Sequence, residues 1–248
     1  MVCLLHSTAA AQTPALPSFS DNNFNGWAMY FGDHPIKGSR WGVHLEGQWR
    51  RNHAFARWQQ LMIRPGVNFT VNSKLMLTLG YAFVNLYPYG QTPTLARAAP
   101  EHRIWEQALI RYRTGKLGWS TRLRFENRFL GERDFVTGVI QRHRYENRFR
   151  GWQRITVPLK SKHYFTAYDE IWFFVPPYVS ASAFDQNRAY VALGRRFGPN
   201  WEFEAGYMHQ LIRQRNGRIT EMNHTMMISI VSRAPFGKKC NGGSSPTC

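Results

Sequence analysis

Residues 122–129 read RLRFENRF and residues 142–149 read RHRYENRF, two near-copies twenty positions apart. Each alternates strictly. In the first, Leu123, Phe125, Asn127 and Phe129 share one side, and Arg122, Arg124, Glu126 and Arg128 the other. In the second, Tyr145, Asn147 and Phe149 oppose Arg142, Arg144, Glu146 and Arg148. A period of two is the signature of a strand whose faces differ. The polar face of a soluble sheet meets water and rarely carries Arg and Glu at every position. Arginine interleaved with glutamate suits strands whose charged sides meet in a confined, wet interior. The aromatic sides then face lipid, which is the apolar-out, polar-in pattern of a transmembrane β-barrel.

The composition fits this reading. The chain has 248 residues, a length that suits a single all-β domain. Its formal net charge is +17, which by itself suggests nucleic acid or an anionic surface. The distribution argues against nucleic acid. Arginines recur at alternate positions inside strands, and they far outnumber lysines, as paired interior charge favours. No apolar run approaches the ~20 residues of a membrane-spanning helix, so a membrane-spanning chain of this kind has to be a closed barrel.

The termini are read separately. MVCLLHSTAAAQTP resembles the end of a secretory signal, with a short apolar stretch followed by Ala9, Ala10 and Ala11. Residues 1–11 are read as a truncated signal peptide, 12–23 as a non-periodic lead-in, 24–232 as the barrel and 233–248 as an unstructured tail. Cys3 falls in the leader. Cys240 and Cys248 either close a small loop in an oxidising compartment or remain two free thiols.

Eleven segments between 24 and 232 read as strands. Bacterial single-chain barrels have even strand numbers, so twelve strands are expected, with ten next. Tight turns at 72–74, 114–115 and 198–200 alternate with longer connections near 87–100, 132–138, 176–185 and 214–220. That asymmetry is typical of outer-membrane barrels. Pro65 interrupts an alternating run, so a bulge or a missing ladder bond is expected there.

The segments FGDHPIKGSRWGVHLEGQWRR (31–51), QQLMIRPGVNFTV (59–71), LTLGYAFVN (77–85), ENRFRGWQRITVPL (146–159), AYDEIWF (167–173), FDQNRAYVALGRRFGPNWEFEAGYMHQ (184–210) and NHTMMISI (223–230) resemble the family known as domain of unknown function 2490. The resemblance runs from about Phe24 to Ile230. It implies an outer-membrane β-barrel and a signal peptide. It implies no reaction, ligand or catalytic residue.

Carried along the chain, the alternation assigns a charged lumen to Arg40, Glu46, Arg50, Arg64, Arg122, Arg124, Glu126, Arg128, Arg142, Arg144, Glu146, Arg148, Glu170, Arg188, Arg196, Glu202 and Glu204. It assigns lipid contact to Trp27, Trp41, Trp49, Trp119, Phe125, Phe129, Tyr145, Phe149, Trp201, Phe203 and Tyr207. Such a lumen is either a narrow interior filled by an Arg–Glu ladder or a path for small anions. A lipid-modifying enzyme is a further alternative, but no Ser–His spacing stands out among His143, His163, His209, His224, Ser120 and Ser229. No His/Cys cluster with metal-ligand spacing appears, and no cofactor is expected. A soluble lipocalin-like binder or sandwich would bury the aromatics and wet the charges, but segments of ten or more residues suit membrane strands better. The expected partners are outer-membrane lipid and lipopolysaccharide, the barrel assembly machinery during insertion, and small anions in the lumen, with no nucleic acid.

Two registers follow from charge complementarity. The hairpin 186–210 pairs Phe197 with Trp201 outside and Arg196 with Glu202 inside. Across the two near-copies, Glu126 is expected opposite Arg144, and Arg124 opposite Glu146. The alternative of Glu126 opposite Glu146 stacks like charges.

Overall fold

The computed structural model describes residues 19–134, 137–176 and 182–236. The signal segment, Cys3, Cys240 and Cys248 lie outside the described residues. The strands are β1 (Phe19–Pro35), β2 (Trp41–Asn52), β3 (Arg57–Thr70), β4 (Leu75–Leu86), β5 (Ala99–Thr114), β6 (Leu117–Arg133), β7 (Ile140–Pro158), β8 (His163–Val175), β9 (Phe184–Phe197), β10 (Trp201–Arg213) and β11 (Ile219–Ser232). They form one closed barrel in sequence order, antiparallel at every seam except the last.

The barrel therefore has eleven strands among the described residues, not the expected twelve. None of the eleven periodic segments is split. An odd-numbered meander brings its first and last strands together in the same direction, so β1 pairs with β11 in parallel, from Phe19 opposite Ile219 to Gly32 opposite Ser232. The seam continues past the last strand, where Phe236 N–H donates to Pro35 O at 2.9 Å. β1 also begins within the stretch read as a lead-in.

Alternation sets the two faces of the wall. The outer surface exposes Ile63, Val67, Leu79, Val191, Leu193, Ile228 and Ile230. The inner face buries Glu46, Arg64, Glu101, Arg124, Glu126 and Arg148. Aromatic side chains border the outer belt at both ends. Trp41 meets Phe69, and Tyr112 stacks on Trp119, at the tight-turn end. Trp49, Trp58 and Tyr87 stack at the other end.

Bulges aim two side chains inward. The register shifts between Arg50 and Arg51, so Gln59 opposes no residue of β2 and is buried, accepting from Trp27 Nε1 at 2.7 Å. A second shift at Trp172/Phe173 turns Asp185 inward, where it accepts from Arg148 Nη1 at 2.9 Å. Pro65 causes no register shift. Instead, pairing between β3 and β4 lapses at Arg64 and Pro65 and resumes in the same register at Gly66. Gly66 and Gly80 admit the Trp105 indole. A Cβ on Gly80 would stand 2.6 Å from Trp105 Cζ2, and one on Gly66 3.1 Å.

The hairpin of β9 and β10 has the expected register, with Phe197 opposite Trp201, Arg196 opposite Glu202 and Val191 opposite Tyr207. The hairpin of β6 and β7 does not. Glu126 lies opposite Arg148, not Arg144, and Arg128 opposite Glu146. The pairing has slid by two residues on each strand. Charge complementarity still explains the outcome. This register opposes unlike charges at Glu126–Arg148, Arg128–Glu146 and Glu132–Arg142 and leaves one like pair, Arg124–Arg150. The expected register leaves two.

The parallel seam makes a direct prediction. In a variant with Cys3, Cys240 and Cys248 replaced by Ser, a cysteine pair at Phe24 and His224, which are opposite each other on the seam, should oxidise to an intramolecular disulfide. The check is mobility on non-reducing gels. Absence of the crosslink in folded protein would contradict closure of β1 on β11.

Candidate functional site: a two-walled lumen

The interior is built around Glu126, which is fully buried. It accepts from Arg148 Nη2 at 2.6 Å and Nε at 3.1 Å, from Arg150 Nη1 at 2.7 Å and from Arg64 Nη2 at 3.2 Å. Arg103 Nη1 stands 3.5 Å away. Four guanidiniums from three strands thus share one carboxylate. Neighbouring carboxylates repeat the motif. Glu46 pairs with Arg64 at 2.9 Å, and Glu101 with Arg103 at 2.7 Å and Arg128 at 2.5 Å. Glu146 takes Arg128 at 3.3 Å, Arg144 at 2.8 Å and the loop residue Arg215. Glu170 takes Arg122 and Arg150 at 2.8 Å each, with Arg188 at 3.9 Å.

Indoles stand between these cations. Trp172 faces Arg150 at 3.8 Å and both Arg148 and Arg188 at 4.1 Å from its ring centre. Trp105 faces Arg124 at 4.6 Å, Trp152 faces Arg122 at 4.6 Å, and Trp27 faces Arg50 at 3.9 Å. A guanidinium over an aromatic face is stabilised by the ring quadrupole without a carboxylate. This matters because cations are in excess. In the central belt Arg50, Arg64, Arg103, Arg122, Arg124, Arg128, Arg148, Arg150 and Arg188 face only Glu46, Glu101, Glu126, Glu146, Glu170 and Asp185. Arg50 is buried on Gln48 and Gln60 and forms no ion pair among the described residues.

The opposite wall is apolar. Trp27, Met29, Tyr190, Ala192, Met208 and Met227 form one buried cluster on β1, β9, β10 and β11, with Phe31 and Tyr168 packed against it. The ion pairs of the waist thus come mainly from β2, β3 and β5 to β8, with Arg188 from β9, and the aromatic–methionine cluster comes from β1 and β9 to β11. Two cavities flank the waist. One of about 940 Å³ reaches the tight-turn rim at Ser73, Lys116 and Pro158. The other, of about 600 Å³, reaches the long-loop end beside Thr94 and Arg97. Trp27, Gln48, Arg150 and Arg188 line both.

The loop 87–98 folds over the second cavity. Buried Asp21 accepts through Oδ2 from Gln91 N at 3.0 Å, Thr92 N at 3.0 Å and Thr92 Oγ1 at 2.8 Å. Gln214 Nε2 donates to Thr92 O at 3.0 Å, and Tyr89 OH to Glu221 Oε2 at 2.7 Å. Burial of that hydroxyl, and then the Glu221 charge, push Tyr89 well above the ordinary tyrosine range. Burial together with repulsion from Arg144 and Arg128 brings Arg215, on the loop at the same end, down to about 10.

Most side chains assigned to the lumen from sequence lie on the inner face, and three do not line its closed interior. Arg40 is exposed in the turn after β1, where it donates to Thr70 O and Val71 O at 2.9 and 2.6 Å. Its parity is inward, but it lies beyond the end of the wall. Arg142 is 76% exposed, paired with Glu132 beyond the loop-end rim. Arg196 meets Glu202 at 3.3 Å on the tight-turn rim, 42% exposed. Arg144, 41% exposed, bridges Glu132 and Glu146 at the opposite rim. Glu204 binds Arg154 and accepts from Tyr164 OH at 2.8 Å.

Trp27 corrects the aromatic assignment. It points into the lumen and is buried, because Asp21, Asn23 and Asn25 share its parity and need the polar interior. The other ten aromatics lie on the outward parity. Of the adjacent carboxylates, Glu170 faces in, while Asp169 faces out and accepts from Asn187 at 3.0 Å. Sequence reading missed Glu101, Arg150, Trp105, Trp172 and Asp185. Extending the alternation beyond Phe149 finds Arg150, but only the bulge turns Asp185 inward. Among the described residues no group of three His, Cys, Asp or Glu is arranged to hold a metal.

The model for the family described as "Protein of unknown function (DUF2490)" matches residues 24–222. The chain belongs to this family. No curated protein matches it. Among solved structures it is similar to a NanC porin in a rhombohedral crystal form, at 10% identity and TM-score 0.49, covering 84% of this chain and 98% of that one. It is also similar to Pseudomonas aeruginosa OccK8 (OprE), at 14% identity and TM-score 0.36, covering 72% and 55%. The barrel assignment rests on the strand pairing of this family member itself.

The Asp21 anchor is testable. Asp21→Ala removes three hydrogen bonds to a charged acceptor, and loss of even one such bond is worth about a tenfold change in opening. Chymotrypsin cleavage after Tyr89 should accelerate by about that factor or more while the barrel stays folded. Unchanged cleavage would contradict the anchoring.

Proposed function

We propose that this chain is a bacterial outer-membrane barrel whose lumen is a narrow, anion-preferring path interrupted by a side-chain waist. The membrane part is supported by the inversion of polarity. Leu79, Leu193 and Ile63 are among the most exposed side chains, while Glu126 and Arg64 are among the most buried. Apolar surface on this scale, with aromatic side chains at both ends, suits hydrocarbon rather than water. Outer-membrane lipid and lipopolysaccharide are then the outer partners, and the assembly machinery inserts the chain.

The path is supported chiefly by one observation. The two cavities share Trp27, Gln48, Arg150 and Arg188, so they abut across a thin layer of side chains rather than across a packed core. The excess of guanidiniums at that layer favours anions. The second reading, a lumen filled by a structural ladder, is favoured by the Glu126 hub, which ties four strands together across the bore.

Refolded protein should migrate faster unheated than boiled, and the native protein should fractionate with the outer membrane. In a planar bilayer under a salt gradient it should give small steps whose reversal potential reports anion preference. Arg188→Glu should reduce that preference. A silent bilayer would favour the filled ladder, and cation-selective steps would contradict the proposal.

A further inference from the structure

We infer that the larger cavity is a binding site for an organic carboxylate that carries a compact apolar body. This deepens the anion path proposed above and rests on that reading of the lumen. The inference comes from the chemistry of the cavity's two walls.

One wall is cationic and under-neutralised. Arg122, Arg150 and Arg188 converge on Glu170, at 2.8, 2.8 and 3.9 Å, and Arg150 also meets Glu126 at 2.7 Å. Arg188 is the loosest of the three on Glu170; it lies over the face of Trp172 at 4.1 Å and donates through Nε and Nη2 to the Gln210 side-chain oxygen at 3.1 Å. Arg124 lines the same cavity and is almost fully buried, yet its Nη1 has no hydrogen-bond partner among the described residues. Its Nε and Nη2 donate to the neutral Gln107, and Nη2 stands 3.8 Å from Glu46. A buried guanidinium N–H without an acceptor is costly, and a ligand carboxylate is the group that matches the fork geometry.

Next to the waist the other wall is apolar, and its polar groups, Ser229, Glu204, Glu202 and Asp33, lie towards the tight-turn rim. Trp27, Met29, Phe31 and Met227 line the apolar part, with Tyr168 on the near strand. These side chains belong to, or pack against, the buried cluster inside the bore. A water-filled anion path has no need of an apolar lining, whereas an apolar body gains from contact with it. Methionine adapts its shape to such a body, and the aromatic faces accept a ring. At about 940 Å³ the cavity is large enough for a ligand of this kind and opens at the tight-turn rim. Acetate, chloride and phosphate satisfy only the cationic wall. A neutral amide of the same shape satisfies only the apolar one.

The test is calorimetric titration of the refolded full chain in detergent with benzoate, acetate and benzamide, alongside bilayer conductance. Heat-modifiable mobility verifies that each variant is folded. Benzoate should bind at least about tenfold more tightly than acetate or benzamide. Arg188→Gln should weaken benzoate by about tenfold or more. Met227→Gln, on the far wall, should weaken benzoate by about fivefold and leave acetate unchanged. Should Arg188→Gln fail to fold, Arg122→Gln tests the same wall. Equal affinities for benzoate and acetate, or full benzoate binding by a folded arginine variant, overturn the inference. Anion-selective conductance with no benzoate preference overturns the site and spares the path. Benzoate binding by an electrically silent barrel supports the site and overturns the path.

Discussion

Glu126 is a carboxylate with no access to water, and four arginines converge on it. A charge so placed has to be neutralised by neighbours, because desolvation alone costs several kcal/mol per ion. The arginines come from β3, β5 and β7, and β7 contributes two. Satisfying this one group therefore fixes strands across the bore as well as beside one another. The register of β6 against β7 follows from it, since sliding either strand moves Arg148 away from Glu126. The cations left over need other partners, and the indoles of Trp172, Trp105 and Trp27 supply them.

The same constraint divides the interior. β1 and β9 to β11 bring fewer charges to the waist, Arg188 and Glu204 among them, and fill their part of the bore with Trp27, Met29, Tyr190, Met208 and Met227. The two walls touch where Arg50 and Arg188 lie over the Trp27 indole. The two cavities lie where the walls fail to meet. The loop 87–98, tied to Asp21 and Glu221, covers one of them.

Much of this was legible in the chain. Strict alternation located the strands and, for most of them, the inward face. The turn Gly198–Asn200 set the β9–β10 register, because a short connection leaves little freedom. Failures have definite causes. Trp27 was placed outside because both faces of its strand are apolar between 26 and 32, and Asp21 and Asn23, which decide the face, lay in the stretch read as a lead-in. The β6–β7 register was misplaced because charge complementarity was weighed for two slides and a third satisfied it better. Asp185 and Gln59 sit at bulges, where parity breaks and alternation gives no guidance. Strand number followed a general preference for even barrels, which this chain does not obey among its described residues.

The central claim is that the charges on Glu126 and its arginines act as one unit holding the bore. A double-mutant cycle on Glu126→Gln and Arg148→Gln, with reversible unfolding in urea and lipid vesicles, measures this directly. The pair meets at 2.6 Å with both partners buried. Each single change leaves an uncompensated buried group and should cost about 3–5 kcal/mol. The double variant should cost less than the sum by about 1.5 kcal/mol or more. Additivity within about 0.5 kcal/mol would show that the two side chains do not depend on each other, and would contradict the account.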